Sequence, residues 1–253
     1  MILSRSDIAR HIVLVCHRLY ENRFVTATDG NVSARLPNGN ILTTRSSINK
    51  GRVTESDLVE VKPDGTPVTV SLKPSTELGM HLFIYSRRSD VQAVVHAHPT
   101  YATGFAAARI SLTECVFPEV IVGLGAIPLA PYATPSTTEV SASLAPYVNN
   151  ANAILLANHG VVTYGSDLDD AYFKMEKVER AAHITFVARM LGGEKLLSAH
   201  DVEKLRTISQ TTYGKDFSDK IACEPADERD EGLTEDDVKR LIREILGRSK
   251  AVH

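Results

Sequence analysis

The stretch Val91-Gln92-Ala93-Val94-Val95-His96-Ala97-His98-Pro99 decides how the chain is read. Its β-branched run predicts a strand, and the proline ends it. Side chains alternate across a strand, so His96 and His98 project from one face while Ala97 points away. One strand can thereby offer two imidazoles to one ion. A third, His159, stands where the apolar run Ala153-Ile154-Leu155-Leu156-Ala157 meets Gly160. That run is expected to be a strand covered on both faces. Upstream, Lys73-Pro74-Ser75-Thr76-Glu77 opens a helix through Leu78, Leu82 and Tyr85, with Ser75 or Thr76 as the natural N-cap. The expectation is that His96, His98 and His159 hold one zinc ion and that Glu77 works beside it. Two further pairs at helical spacing, Glu77 with His81 and Glu179 with His183, read either as alternative metal pairs or as surface contacts.

Outward toward the N-terminus, Ser4 with Asp7 makes a capping-box start for a helix over residues 4–22, whose apolar face is Ile8, Ile12, Val15, Cys16 and Leu19. His11 and His17 read as partly exposed helix histidines. Thr28-Asp29-Gly30-Asn31 is a turn and Val32 to Leu36 a strand, returning through Pro37-Asn38-Gly39-Asn40 to Ile41-Leu42-Thr43-Thr44. The polar loop Arg45 to Gly51 could receive a phosphate or be only a turn. Leu58 to Val61 and Val68 to Val70 are expected as short strands about the turn Pro63-Asp64-Gly65.

Toward the C-terminus, Ala126 to Ala130 carries a proline and is expected at a sheet edge. Ser136 with Glu139 forms a capping box for a helix to Val148. Ser166 to Leu191, capped by Asp167 with Asp170, is the longest expected helix, and Asp201 to Ser209 is one more. Ala106 to Val122 has no clear period. The acidic, proline-containing stretch within 215–232 is expected as a flexible linker. Beyond it Leu233, Thr234 and Asp237 set a cap and staple. Val238, Leu241, Ile242, Ile245 and Leu246 then form one apolar stripe on a helix over 233–248.

The 253 residues carry a formal net charge of −3, so nothing points to bulk nucleic-acid binding. Cys16, Cys115 and Cys223 lack metal-ligand or disulfide-framework spacing, which predicts free thiols and a reducing, cytoplasmic setting. The amphipathic N-terminus matches neither a signal peptide nor a membrane span.

Three neutral imidazoles leave zinc an open position, where it is a Lewis acid for a carbonyl oxygen. A carboxylate beside it can move a proton on the neighbouring carbon. Anion-binding loops would fix the reacting bond over the metal. These parts suit carbon–carbon cleavage of a ketose phosphate.

The chain resembles the class II aldolase/adducin family, and within it most nearly the L-fuculose-phosphate aldolase group. The resemblance spans Ser4 to Gly214. Its carriers are Gly30-Asn31-Val32-Ser33, Thr44-Arg45-Ser46-Ser47, Lys73-Pro74-Ser75-Thr76-Glu77, Val95-His96-Ala97-His98, Ala130-Pro131-Tyr132-Ala133-Thr134 and Asn158-His159-Gly160. It implies an α/β fold, a three-layer α/β/α sandwich around a mainly antiparallel sheet over residues 1–214, assembled as a C4 homotetramer. It implies zinc on His96, His98 and His159, with Glu77 a further ligand that becomes the acid/base. It implies phosphate and substrate binding through Gly30, Asn31, Ser46, Ser47, Ser75 and Thr76, with Tyr213 matching a family tyrosine. The implied reaction is reversible cleavage of a ketose 1-phosphate to dihydroxyacetone phosphate and an aldehyde such as lactaldehyde. The alternatives within the family are a pentulose-phosphate 4-epimerase, a methylthioribulose-phosphate dehydratase and a non-catalytic adducin-like scaffold.

Two departures stand out. The family loop usually reads Thr-Pro-Ser/Thr-Gly, and here Arg45 and Ser47 replace the proline and the glycine. Phe117, with Glu119 nearby, takes the place of a family tyrosine that serves the aldehyde-side oxygen. The helix over 233–248 lies outside this resemblance. It is similar to the encapsulation peptides that tether enzymes to bacterial microcompartment shells.

Overall fold

In this computed structural model, residues 3–69, 71–214 and 220–226 are described. The chain opens with α1 (Arg5–Glu21), whose Ser4 cap and Asp7 form the expected capping box. A hairpin comes next, β1 (Asn31–Arg35) and β2 (Ile41–Thr44), then β3 (Leu58–Val61), α2 (Leu78–Arg87) and β4 (Ala93–Ala97). After these come α3 (Thr100–Ala107), α4 (Pro118–Gly123), β5 (Leu129–Ala130) and α5 (Thr138–Leu144). The strands β6 (Ala153–Leu156) and β7 (Gly160–Gly165) precede α6 (Leu168–Met190) and α7 (Ala199–Tyr213).

Seven strands make one sheet in the order β3-β2-β1-β4-β7-β6-β5. Every neighbouring pair is antiparallel except β5 with β6. Alternation along the strands splits the core in two. Val32, Val95, Leu155 and Val161 pack under α1, α3 and α6, whereas Val94, Ile154, Val162 and Tyr164 pack under α2 and α5. This is the expected three-layer sandwich. Among the described residues, no helix is long and apolar enough to cross a membrane.

Several expectations are corrected. Val68 and Thr69 form no strand; after the turn only Pro67 bridges back, to Val61. Val70 lies outside the described residues. The cap of α5 is Thr137, whose hydroxyl accepts from the Glu139 amide, while Ser136 adopts a left-handed φ of 64° and Glu139 accepts from the Thr134 amide. That helix stops at Leu144, short of Val148. The region without a clear period, Ala106 to Val122, holds the end of α3 and most of α4, and between them Leu112 bridges to Ile127.

The cysteines are corrected too: Cys115 and Cys223 form a disulfide across 108 residues, and only Cys16, on the buried face of α1, is free. The pairing depends on the return of the chain after α7, which spacing along the sequence does not reveal. Cysteine usage therefore no longer points to a reducing compartment. Within the stretch expected as linker, residues 220–226 are bonded to the body: Ile221 to Asn150, Glu224 to Thr113, and Ala226 to Leu197. The expected helix over 233–248 lies outside the described residues.

Candidate metal centre

The centre sits where β1 begins and β4 ends, on the face beneath α2. Asn31 and His96 are direct register partners, so strand pairing alone sets them side by side. His96 is fully buried, and its Nδ1 lies 2.9 Å from the Val161 carbonyl oxygen on β7. A carbonyl only accepts, so Nδ1 carries the hydrogen and Nε2 turns a lone pair toward the site. His98 lies one residue beyond β4, with its Nε2 3.1 Å from that of His96. His159 occupies the tight turn between β6 and β7, after Asn158 in a left-handed conformation of φ 56°. The ligand nitrogens of His96, His98 and His159 all lie within 4.8 Å of one another. Two segments distant in sequence, the end of β4 and the β6–β7 turn, therefore meet.

Glu77 stands at the start of α2 and leaves the helix amide end alone. Its Oε1 is 3.0 Å from His159 Nε2, its Oε2 3.4 Å from His96 Nε2, and the Asn31 amide donates to Oε2 at 2.9 Å. Burial raises the Glu77 carboxyl, but His96, His159 and the Asn31 amide more than reverse this and hold it below the ordinary carboxylate range. Burial pushes His96 and His98 down to about 4, which keeps both imidazoles neutral at pH 7. The unprotonated Nε2 of His96 thus faces a carboxylate oxygen. Two acceptors at that distance are repulsive unless a cation lies between them. Tetrahedral zinc on imidazole nitrogens sets them roughly 3.3 Å apart, as its bond length of about 2.0–2.1 Å requires. The donor set fits a divalent metal of the zinc type.

The expected phosphate loops lie side by side. The Ser46 amide donates to the Lys73 carbonyl, and the Ser75 amide to the Thr44 carbonyl. Neither Ser75 nor Thr76 caps α2 in the manner expected: Glu77 takes the cap position, and the Ser75 hydroxyl accepts from the Glu77 amide. Thr76 and Ser47 are exposed. Ser47 has φ 56°, so it adopts the left-handed shape a glycine would take there. Gly30 has φ 71°, and a Cβ on it would stand 2.8 Å from the His96 carbonyl oxygen. Tyr213 closes α7, and its side chain lies outside the described residues.

The alternative metal pairs do not form. His81 turns away from Glu77 toward Asn31 and Ser33. Glu179 accepts from the Tyr101 and Ala102 amides at the start of α3, and His183 stacks on Tyr101. His11 meets Asp169, and His17 meets the Val53 carbonyl.

The sequence model described as class II aldolase and adducin N-terminal domain matches residues 10–186. The chain belongs to that family. An L-fuculose phosphate aldolase from Methanococcus maripaludis is 34% identical over 181 residues, covering 72% of this chain and 97% of its own. A 3-oxo-tetronate 4-phosphate decarboxylase from Escherichia coli is 31% identical over 199 residues, covering 76% and 92%. Among solved structures, an L-fuculose 1-phosphate aldolase superposes with a TM-score of 0.74 at 31% identity, over 80% of this chain and 96% of that one. A putative aldolase/epimerase/decarboxylase from Klebsiella pneumoniae gives 0.74 at 30%, over 81% and 100%. This member of the class II aldolase family is thus an enzyme of the lyase class.

For two residues that shape the site the sequence reading gave no structural role. A Cβ on Gly160 would stand 2.5 Å from the His98 ring, so that glycine gives the imidazole its room. Lys50 is buried, and its ammonium donates to the Thr28 and Ile48 carbonyls, tying the Gly30 turn to the Ser46-Ser47 loop. A lysine in a polar loop gives no local sign of burial, and a glycine after a histidine reads only as a turn.

Proposed function

We propose that this class II aldolase is a zinc-dependent lyase that reversibly cleaves a ketose 1-phosphate, L-fuculose 1-phosphate or a close relative. The products are dihydroxyacetone phosphate and an aldehyde such as lactaldehyde. The observation that carries this reading is the meeting of three imidazole nitrogens with the Glu77 carboxylate, which the Asn31 amide holds from behind. When bound, the metal on His96, His98 and His159 supplies Lewis acidity to the substrate carbonyl. Glu77 returns a proton to the carbon left by the broken bond, and removes it in the synthetic direction. The hydroxyls of Ser46, Ser47, Ser75 and Thr76, with the turn at Gly30 and Asn31 beside them, receive the phosphate, and Tyr213 is a further substrate-binding residue. Fixing the phosphate orients the scissile bond, which is where such sites gain most of their advantage over solution.

A second reading has its own support. Phe117 has no phenol to serve an aldehyde-side oxygen. Loss of carbon dioxide from a 3-oxo acid leaves the same carbanion and needs no such group. The decarboxylase relative from Escherichia coli also matches over a longer stretch than the aldolase relative.

The deciding experiment supplies the zinc-loaded enzyme with fuculose 1-phosphate, rhamnulose 1-phosphate, ribulose 5-phosphate and 3-oxo-tetronate 4-phosphate. Dihydroxyacetone phosphate with equimolar aldehyde from a ketose 1-phosphate is the expected result. Carbon dioxide from the oxo acid alone transfers the assignment to decarboxylation, and a new pentulose isomer transfers it to epimerisation. We also place the enzyme in a homotetramer, for which exposed apolar residues on α6, among them Phe186, Val187 and Met190, offer a surface.

A further inference from the structure

Behind the metal centre a line of buried polar side chains runs from Glu77 into the layer between α2 and the sheet. Asn31, Ser33 and His81 are almost wholly enclosed, and Tyr85 nearly so. The contacts are Glu77 Oε2 to Asn31 Nδ2 at 2.9 Å, Asn31 Oδ1 to His81 Nε2 at 2.5 Å, His81 Nδ1 to Ser33 Oγ at 2.6 Å, and Ser33 Oγ to Tyr85 Oη at 2.9 Å. β1 supplies Asn31 and Ser33 on one face, two residues apart, and α2 supplies His81 and Tyr85 one turn apart.

Donor and acceptor chemistry fixes the direction of this chain. A carboxylate only accepts, so the Asn31 NH2 faces Glu77 and its Oδ1 faces His81. Oδ1 only accepts, so His81 carries its hydrogen on Nε2. A neutral His81 then accepts at Nδ1 from the Ser33 hydroxyl, whose oxygen accepts in turn from Tyr85. Burial lowers His81 to about 4, against a smaller opposing pull from Glu77, in keeping with a neutral ring. An amide does not pass a proton on, so the chain orients groups rather than conducting protons.

We propose that His81 is a positioning residue of the lyase site: its Nε2–H holds the Asn31 amide in the one orientation that presents NH2 to Glu77. This rests on the reading of Glu77 as the proton-moving group. Without His81 the Asn31 amide is free to flip and turn its oxygen toward the carboxylate. Glu77 would then lose its anchor while all three imidazoles remain.

Glutamine and asparagine separate the two ends of the ring. The His81→Gln amide reaches the Nε2 position and can still donate to Asn31. The His81→Asn amide reaches only the Nδ1 position and meets Ser33 alone. The expected result for His81→Asn is a kcat reduced by about 10- to 100-fold, with KM and zinc content near those of the parent. His81→Gln should recover most of that loss. Equal kcat in the two variants, or a parent-like kcat in His81→Asn, would overturn the proposal.

A second measurement needs no substrate and no variant that folds well. Nitrogen-15 spectra of the zinc-loaded, histidine-labelled protein should show His81 as the Nε2–H tautomer from pH 6 to pH 8. An Nδ1–H tautomer or an imidazolium would refute the chain's direction. An enzyme inert toward all four sugar phosphates would sink the functional reading while the tautomer still decides this one.

Discussion

Glu77 is placed by what it does not do. It stands at the cap of α2, yet its carboxylate leaves the helix amides and faces two imidazoles and the Asn31 amide. Glu77→Gln keeps size and shape and removes the base. It should retain zinc, measured by elemental analysis, while solvent exchange of the dihydroxyacetone phosphate proton falls at least about 100-fold. Parent-like exchange would remove Glu77 from the mechanism. Ser47 invites the opposite kind of change, because its φ of 56° is the shape of the glycine it replaces. A left-handed residue with a Cβ costs roughly 1–2 kcal/mol, so Ser47→Gly should raise urea stability by up to about 1 kcal/mol after the extra backbone entropy is counted. His81 adds a pH dependence. Its folded value of about 4 lies below the ordinary 6.5, so between these values the unfolded chain binds the extra proton. Stability from this group is complete above pH 6.5 and is lost as pH falls toward 4, by about 3 kcal/mol. Urea titrations of the parent should show this slope added to those of His96 and His98, which lie equally low, and His81→Gln should remove His81's share of it. At this scale the convergence of Glu77, His96, His98 and His159 was legible in the sequence. The left-handed Ser47 was not, because the letters alone do not state φ.

The elements explain why these side chains meet. β4 presents His96 on the α2 face and His98 follows one residue beyond its end, and that pairing was readable from Val-Val-His-Ala-His. The β6–β7 turn was readable only as a place. How closely it approaches β4 depends on Gly160, where a Cβ would press on the His98 ring at 2.5 Å and on the Ala97 carbonyl oxygen at 2.6 Å. The second neighbour is backbone, which cannot swing aside. Gly160→Ala should therefore lower zinc affinity by at least about 10-fold, read by competition with a chelator, and should destabilise the fold by roughly 1–3 kcal/mol. An unchanged affinity would show that the turn is softer than its contacts suggest. Helix caps were read less well than strands. Ser136 and Ser75 look like caps because several hydroxyl residues stand together, and only the entry angle of the chain selects Thr137 and Glu77. The strand order was likewise invisible. Adjacent hairpins suggest neighbours, but β4 inserts between β1 and β7 through pairings far apart in sequence.

At the scale of the whole molecule the family matches residues 10–186, and the remainder of the chain includes a segment that returns to that body and a C-terminal stretch beyond it. The return was hidden because its anchors are tertiary: Cys223 to Cys115 and the Glu224 pairing beside Glu114. The C-terminal stretch has a sequence logic of its own. The sequence predicts a helix start at Thr234 and Asp237 and a stripe from Val238 to Leu246 opposite Lys239, Arg240 and Arg243, all outside the described residues. A helix that short is marginal in water by itself and gains stability by burying its stripe on a surface. We take that surface to be a microcompartment shell protein. Because residues 220–226 are bonded to the body, the cut that isolates the stripe falls after Gly232 and spares Cys223. Removing residues 233–253 should leave kcat, KM and the mass of the proposed tetramer unchanged, since no residue assigned to the metal centre or the phosphate loops lies beyond Gly232. The same deletion should abolish co-purification with shells, and grafting 233–253 onto an unrelated soluble reporter should confer it. A truncated enzyme that still travels with the shell would reassign the stripe to the enzyme's own surface, where loss of tetramer mass on truncation is the matching result.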